Sequence, residues 1–267
     1  MTRLDRALVE RGLIRSRSRA AREIAAGRVS VNSATASKPS AEVGEADEVT
    51  VHEPDPWVAR SAHKLLGALD AFGIETLSGI SALDAGASTG GFTQVLLSRD
   101  AAEVWAVDVG HDQLDVSLRT DPRVRVREGL NLRELSASDV PAVDLVVADV
   151  SFISLRLLLE PLLAATRPEG ELLLMVKPQF ELARSSLDKH GVVTSPANRR
   201  RAVLSVVEAI TALDARVTDI APSVLPGPSG NREYFLRVRP GRTTAASDRL
   251  NEADVPETVD AIMRGES

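Results

Sequence analysis

The sequence predicts a small basic module followed by an α/β domain built on a mostly parallel sheet. Three observations carry that prediction. From residue 81 onward, short apolar runs alternate with segments of helical spacing. The first of these runs, Leu83-Asp84-Ala85, enters a turn with glycines at Gly86, Gly90 and Gly91, and a helical stretch follows at once. Charge is segregated: residues 1–38 hold nine basic side chains against three acids, so a chain of net charge −6 carries +6 at its head and −12 elsewhere.

In the head, Leu4, Leu8 and Val9 repeat with helical spacing and Gly12 ends the run. Ser16 or Ser18 caps a second helix through Ala20, Ile24 and Ala25, which Gly27 closes. Val29–Asn32 alternates as a strand, Lys38-Pro39-Ser40 breaks the chain, and Glu48–Val51 returns as a second strand. With few acids to pair them, Arg3, Arg6, Arg15, Arg17, Arg19 and Arg28 are candidate phosphate contacts. The bland alternative is a solvated helix face, since arginine is a good surface helix former. All eight aromatic residues lie outside this module, so phosphate and shape contacts suit it better than base stacking.

A linker rich in acid and proline, around Pro54 and Pro56, forbids a continuous helix. Beyond it a helix begins near Val58, with Leu65, Leu69 and Phe72 on one face. Strands are expected at 81–86, 103–109, 124–128, 143–149, 171–177, 215–220 and 232–239, and helices near 92–99, 112–119, 155–166 and 198–213. The division is thus 1–52 head, 53–58 linker, 59–242 main domain, and 243–267 a tail that could form one loosely held helix. With 267 residues and 43% hydrophobic content, the chain can bury one sizeable core plus a small module. No apolar run approaches the roughly 20 residues of a membrane span. The absence of cysteine excludes disulfides and cysteine nucleophiles, and four scattered histidines lack ligand spacing. A cytoplasmic, metal-free and monomeric protein is the expectation.

Ligands in open α/β sheets bind outside the carboxyl ends of the strands, which selects Asp84, Asp108, Asp149 and Lys177. The glycine turn lets backbone approach a ligand, and Asp108 falls about twenty residues on, where an acid binds a ribose diol. Asp149 and Lys177 end neighbouring apolar strands and form either a structural ion pair or a reactive one. Because the turn Asp84–Phe92 resembles the cofactor turn of methyltransferases, methyl-transfer chemistries are the ones to separate: Asp149-Val150-Ser151-Phe152 lacks the two prolines expected for amino-group methylation, and carbon-5 methylation of a pyrimidine would need a cysteine. A ribose hydroxyl needs orientation and loss of a proton, which a lysine can perform. Lysine, ordinarily near pKa ~10.4, serves as a base when burial or a second cation lowers that value.

The turn Asp84–Phe92 resembles the S-adenosylmethionine turn of class I, Rossmann-like methyltransferases, whose seven-stranded sheet has an antiparallel seventh strand. The head resembles the α-L motif of S4-type RNA-binding domains through Arg3-Leu4-Asp5, Ser16-Arg17-Ser18, Gly27-Arg28-Val29 and Lys38-Pro39-Ser40. Lys64, Asp149, Lys177 and Glu233 are similar in order to the K-D-K-E tetrad of FtsJ-like 2′-O-methyltransferases; by themselves Lys64 reads as a surface lysine and Glu233 as a strand-edge charge. End to end, Ser61–Leu65, Asp149–Leu155, Val176–Glu181 and Gly227–Asn231 included, the chain resembles the TlyA family of ribosomal RNA methyltransferases. That resemblance implies methyl transfer from S-adenosylmethionine to a cytidine 2′-hydroxyl in ribosomal RNA of one or both subunits. It further implies that Gly86, Gly90 and Phe92 line the methionine end of the cofactor, that Asp108 binds the ribose, and that Asp84 and Asp149 also belong to the cofactor site. Asn131 stands where relatives often place an acid against the adenine. Asp149 and Lys64 would orient the target, Lys177 act as base and Glu233 hold Lys177. Rival readings are a membrane-active haemolysin, a label this family also carries, and a non-catalytic ribosome-assembly factor.

Overall fold

The computed structural model describes residues 1–241 and 248–265, and the chain divides into two compact units, Met1–Ala59 and Arg60–Ser267. In the first unit, β1 (Thr2–Arg3) leads into α1 (Leu4–Glu10) and α2 (Arg17–Ala25), followed by β2 (Val29–Val31), β3 (Ala34–Thr35), β4 (Glu42–Val43) and β5 (Val49–Val51). Ser16 caps α2 by accepting the Arg19 N–H, and Gly12 and Gly27 take the left-handed conformation that ends each helix. The buried faces of the two helices, Leu4, Leu8, Ala20 and Ile24, close over Val29 and Val43. β2 pairs antiparallel with β3 and β5. Asn32 and Ser33, both at positive φ, make the tight β2–β3 hairpin whose twist matches its strands. The β1–β4 pair and β3 are too short to leave a periodic signal in sequence.

The second unit begins with α3 (Ser61–Phe72), then β6 (Ser81–Ala85), α4 (Gly91–Ser98), β7 (Glu103–Asp108), α5 (Val116–Arg119), β8 (Val124–Glu128) and β9 (Val143–Ala148). It continues through α6 (Leu159–Ala164), β10 (Thr166–Val176), α7 (Pro178–Glu181), α8 (Pro196–Ala212), β11 (Ala215–Pro222), β12 (Tyr234–Pro240) and α9 (Val255–Gly265). The sheet order is β11-β12-β10-β9-β6-β7-β8, with β12 alone running against its neighbours. The chain builds outward from β6 to β8, then returns to lay β9 on the other side of β6. That reversal opens a crevice at the carboxyl ends of β6 and β9.

Both sheet faces are covered. Tyr234, Leu236 and Val238 of β12 join Val203 and Ile210 of α8 and Val259 and Met263 of α9. The next residue over, Phe235, points the other way and stacks on Phe92 of α4 at 6.2 Å between ring centroids. Burial of this kind, at about 25 cal/mol per Å² of apolar surface, is the main force holding the unit together.

Three expectations need correction. The helix expected over 112–119 is one turn only, because Asp112 sits at φ 55° and Asp115 caps the chain at Ser117. The helix near 155–166 is a short 3₁₀ turn, Leu155–Leu157, followed by α6, and the next strand starts earlier than expected, at Thr166, through a register irregularity before Glu171. The tail is well held: Val255, Val259 and Met263 are buried, and Asp260 accepts from Arg200 Nε at 2.5 Å. Residues 242–247 of the expected domain end and tail, and residues 266–267, lie outside the described residues. Among the described residues, no helix is long and apolar enough to cross a membrane.

Candidate active site

The crevice between β6 and β9 holds a cavity of about 600 Å³ whose lining includes Gly86, Ser88, Asp108, Asn131, Asp149 and Phe152. β6 ends by handing the N–H groups of Gly86 and Ala87 to the single carbonyl of Val107, at 2.9 and 3.0 Å. Gly86 has φ +91°, and a Cβ there would sit 3.1 Å from the Asp149 carbonyl and 3.2 Å from Val150 Cγ1. Only glycine allows the two strand ends to approach this closely. Asp108, at the end of β7, is fixed by two backbone donors: Ser88 N–H to Oδ2 at 2.8 Å and Gly110 N–H to Oδ1 at 2.7 Å. Each oxygen keeps a lone pair for a ligand, so the carboxylate is preset to accept from a pair of hydroxyls.

Three residues expected at the cofactor have partners within the fold. Phe92 is buried against Phe235 and does not line the cavity. At Gly90, a Cβ would meet Leu118 Cδ1 at 2.3 Å and Leu114 Cδ1 at 2.8 Å, so its missing side chain admits packing rather than a ligand. Asp84 is sealed: its Oδ2 accepts from Thr93 Oγ1 at 2.6 Å, tying β6 to α4, and burial pushes its carboxyl up to about 7. Asn131 does reach the cavity, where its Oδ1 also caps the short turn Leu132–Glu134 through Arg133 N–H.

The four tetrad residues form two ion pairs. Lys177 Nζ lies 2.5 Å from Asp149 Oδ1 and donates to Ser151 Oγ at 2.8 Å. Lys64 of α3 pairs with Glu233 Oε2, with Met175 Sδ 4.0 Å from the ammonium. The expectation that Glu233 holds Lys177 is therefore corrected. Strand alternation explains the exchange: Tyr234 points into the α8–α9 cluster, so Glu233 and Phe235 face α3 and α4. Gly227 completes this pair, since a Cβ there would lie 2.6 Å from Glu233 Oε1. The loop bearing Gly227 is anchored by Asn231, whose Oδ1 accepts from Val193 N–H and whose Nδ2 donates to the Gly191 carbonyl, both at 2.9 Å.

Sequence reasoning missed two neighbours of the site. Phe152 has φ 64°, is 92% exposed, and stands 5.3 Å from the Phe180 ring at a tilt of 47°. Its ring is thus a cavity-lining aromatic open to solvent, held in a backbone region that costs energy to occupy. Glu181 is buried and accepts from Leu155 N–H at 2.7 Å, Ser154 Oγ at 2.6 Å and Arg156 Nε at 3.3 Å, strapping the segment after Phe152 to α7. Both fall inside quoted motifs, yet neither residue type declares its partner in sequence.

In the head, the acids pair more of the arginines than the charge count suggests. Arg6 bonds Glu10 at 2.7 Å, Arg28 bonds the buried Glu23 at 2.5 Å, and Arg3 and Arg17 both bond Asp5. Arg19 donates to the Asp55 carbonyl, whereas Arg15 lies on the exposed surface. Arg19 and Arg28 thus have structural work within the head.

A doubly covered sheet with one inverted strand and a cavity at its switch point is the architecture of class I methyltransferases. Family comparison agrees, residues 57–239 matching the FtsJ-like methyltransferase model and residues 2–49 the S4 domain. The chain is 48% identical over 240 residues, 89% of each chain, to the 16S/23S rRNA (cytidine-2′-O)-methyltransferase TlyA of Mycobacterium tuberculosis. It is 33% identical to Hemolysin A of Brachyspira hyodysenteriae over 87% of this chain and 98% of that one. A solved protein from Streptococcus thermophilus, provisionally called a hemolysin, superposes with a TM-score of 0.75 at 29% identity, covering 99% of this chain and 97% of the other. The chain belongs to the FtsJ-like methyltransferases and, within them, to the S4-headed TlyA family.

Proposed function

We propose that this protein transfers a methyl group from S-adenosylmethionine to a ribose 2′-hydroxyl of ribosomal RNA, a cytidine as in the mycobacterial relative, with Lys177 as general base. The observation that carries this reading is the Lys177–Asp149 pair beside a cavity that Asp149 itself lines. The residues present fit the cofactor. Gly86 removes the side chain that would block the strand ends, Asp108 offers a preset acceptor for a ribose diol, and Asn131 lines the same cavity. When bound, S-adenosylmethionine supplies a methyl group on a sulfonium, already electrophilic.

The protein then has two tasks, alignment and proton removal. Asp149 and Ser151 fix the Lys177 ammonium at the cavity, so that in its neutral form Nζ accepts the 2′-hydroxyl proton. Phe152 offers its exposed ring to the target base, holding the ribose over the lysine. Lys64 and Glu233, the other half of the tetrad, form a buried pair that fixes the start of β12 beside β10. Holding the reactants in line is worth effective molarities up to ~10⁵–10⁸ M in well-oriented systems. The S4 head supplies affinity for the RNA backbone through Arg3, Arg6, Arg15 and Arg17, in a monomer acting where ribosomal subunits are found, the cytoplasm.

The test incubates purified protein with labelled S-adenosylmethionine and ribosomal subunits, then maps 2′-O-methyl positions. Label on a ribose 2′-oxygen that disappears with Lys177→Ala is the expected result. Label on bases, or near-normal turnover of that variant, would sink the reading.

A further inference from the structure

Two arginines of the head meet on one buried carboxylate. Asp5, in the first turn of α1, is 5% exposed, and its own N–H is bonded to the Pro39 carbonyl at 3.0 Å. Arg3 grips it twice, Nε to Oδ1 at 3.1 Å and Nη2 to Oδ2 at 3.0 Å. Arg17, from the start of α2, reaches the same Oδ2 through Nη2 at 2.9 Å. The two arginine side chains nevertheless remain 51% and 60% exposed. Guanidinium groups this close repel each other, and the carboxylate between them is what keeps them together. They in turn hold the Asp5 carboxyl well below the usual carboxylate range, so it stays ionised.

We propose that Asp5 preorganises Arg3 and Arg17 as a two-guanidinium fork for a phosphodiester of an RNA strand, making Asp5 a positioning residue for RNA binding. The proposal rests on the RNA reading given under Proposed function. A guanidinium has five N–H donors in a rigid plane, and Asp5 uses two from Arg3 and one from Arg17. The donors that remain sit on exposed side chains whose rotamers are already fixed, so a phosphate meets a prepared site and less freedom is lost on binding. The module has no aromatic ring to favour a base instead.

Net charge alone predicts the opposite role. Removing an acid from a basic surface should tighten RNA binding, which makes Asp5→Asn discriminating. With full-length protein and an in vitro ribosomal RNA transcript at fixed salt, Asp5→Asn is expected to weaken binding about tenfold despite the added positive charge. Equal or tighter binding overturns the proposal. Because Asp5 is buried, a second variant leaves it in place: Arg3→Lys with Arg17→Lys keeps both charges and loses the planar fork. Its affinity should also fall about tenfold, with an unchanged salt slope, and wild-type affinity would overturn the proposal. Arg3→Gln with Arg17→Gln should weaken binding and flatten the slope by about two. If wild-type protein shows no salt-dependent binding, the RNA reading itself fails and the fork with it. If wild type binds and only the Asp5 and lysine variants match it, the fork alone is refuted.

Discussion

The charges at the carboxyl ends of the central strands fall into two regions that differ in access rather than in residue type. On the face covered by α3 and α4, Asp84 is tied to Thr93 and Lys64 is closed against Glu233, all sealed from solvent. At the open rim, Asp108 and Asp149 line the cavity, and Lys177, itself 8% exposed, sits behind Asp149 at the end of β10 and reaches the cavity only through it and Ser151. Aspartate and a lysine–carboxylate pair occur in both regions. A sealed pair fixes geometry at a desolvation cost, whereas a pair at a cavity retains an open side toward a substrate. On the function proposed above, chemistry belongs to the rim and alignment to the sealed face.

The sharpest way to break this contrast is to remove one lysine from each side. Lys177→Ala should lower kcat by about 10²–10⁴-fold, the range for loss of a general base, while cofactor affinity stays within a few-fold of wild type. Single-turnover transfer together with titration calorimetry checks it. Lys64→Met should instead strand Glu233 and destabilise the fold by about 3–5 kcal/mol, and the double variant Lys64→Met/Glu233→Met should recover much of that loss. Urea unfolding of the three proteins decides the point. A stable but inactive Lys64→Met would move Lys64 to the chemical side.

The two aspartates sharpen the comparison further. Asp84 is raised from 3.8 to about 7 in the fold, so the folded state holds that proton more tightly than the unfolded chain. The pH-dependent cost of its burial is absent below pH about 4 and removes stability as pH climbs toward about 7, by about 4 kcal/mol at most. Asp84→Asn should flatten the fall in unfolding free energy across that window; parallel profiles would mean Asp84 is not sealed. Smallest is Asp108→Ala, expected to weaken S-adenosylmethionine binding by about 10–150-fold, the equivalent of charge-assisted hydrogen bonds worth about 1.5–3 kcal/mol, with unfolding little changed. Unaltered affinity would place the ribose elsewhere.

Much of this division was legible in sequence, and the part that was not has a physical reason. Continuous apolar runs ending in Asp108, Asp149 and Lys177 put charges at strand ends, because parallel strands buried on both faces can bear charge only where they stop. The glycine turn was visible as well, but sequence gives the same letters to two jobs: Gly86 clears a path for backbone, whereas Gly90 makes room for Leu114 and Leu118. Phe92 follows that turn and reads as part of the site until Phe235 claims it from β12. The exchange of partners at Glu233 follows from the inverted β12 and the face it presents, a register fact that spacing along one strand does not encode. The pairing of Arg3 and Arg17 on Asp5 was hidden for a similar reason, since counting charges ignores that one carboxylate can serve two cations.

Glu181 has a mechanical consequence. By holding Ser154, Leu155 and Arg156 to α7, which directly follows Lys177, it ties the far end of the Asp149 loop to the stretch of chain next to that lysine. The near end is held by the Asp149 N–H on the Ala85 carbonyl at 3.3 Å. Between these anchors only Val150, Ser151, Phe152 and Ile153 span the mouth of the cavity. If the proposed function holds, exchange of Phe152 or Ile153 alters which nucleotide is admitted without displacing the lysine, so selectivity and reactivity are tuned separately on one short arch.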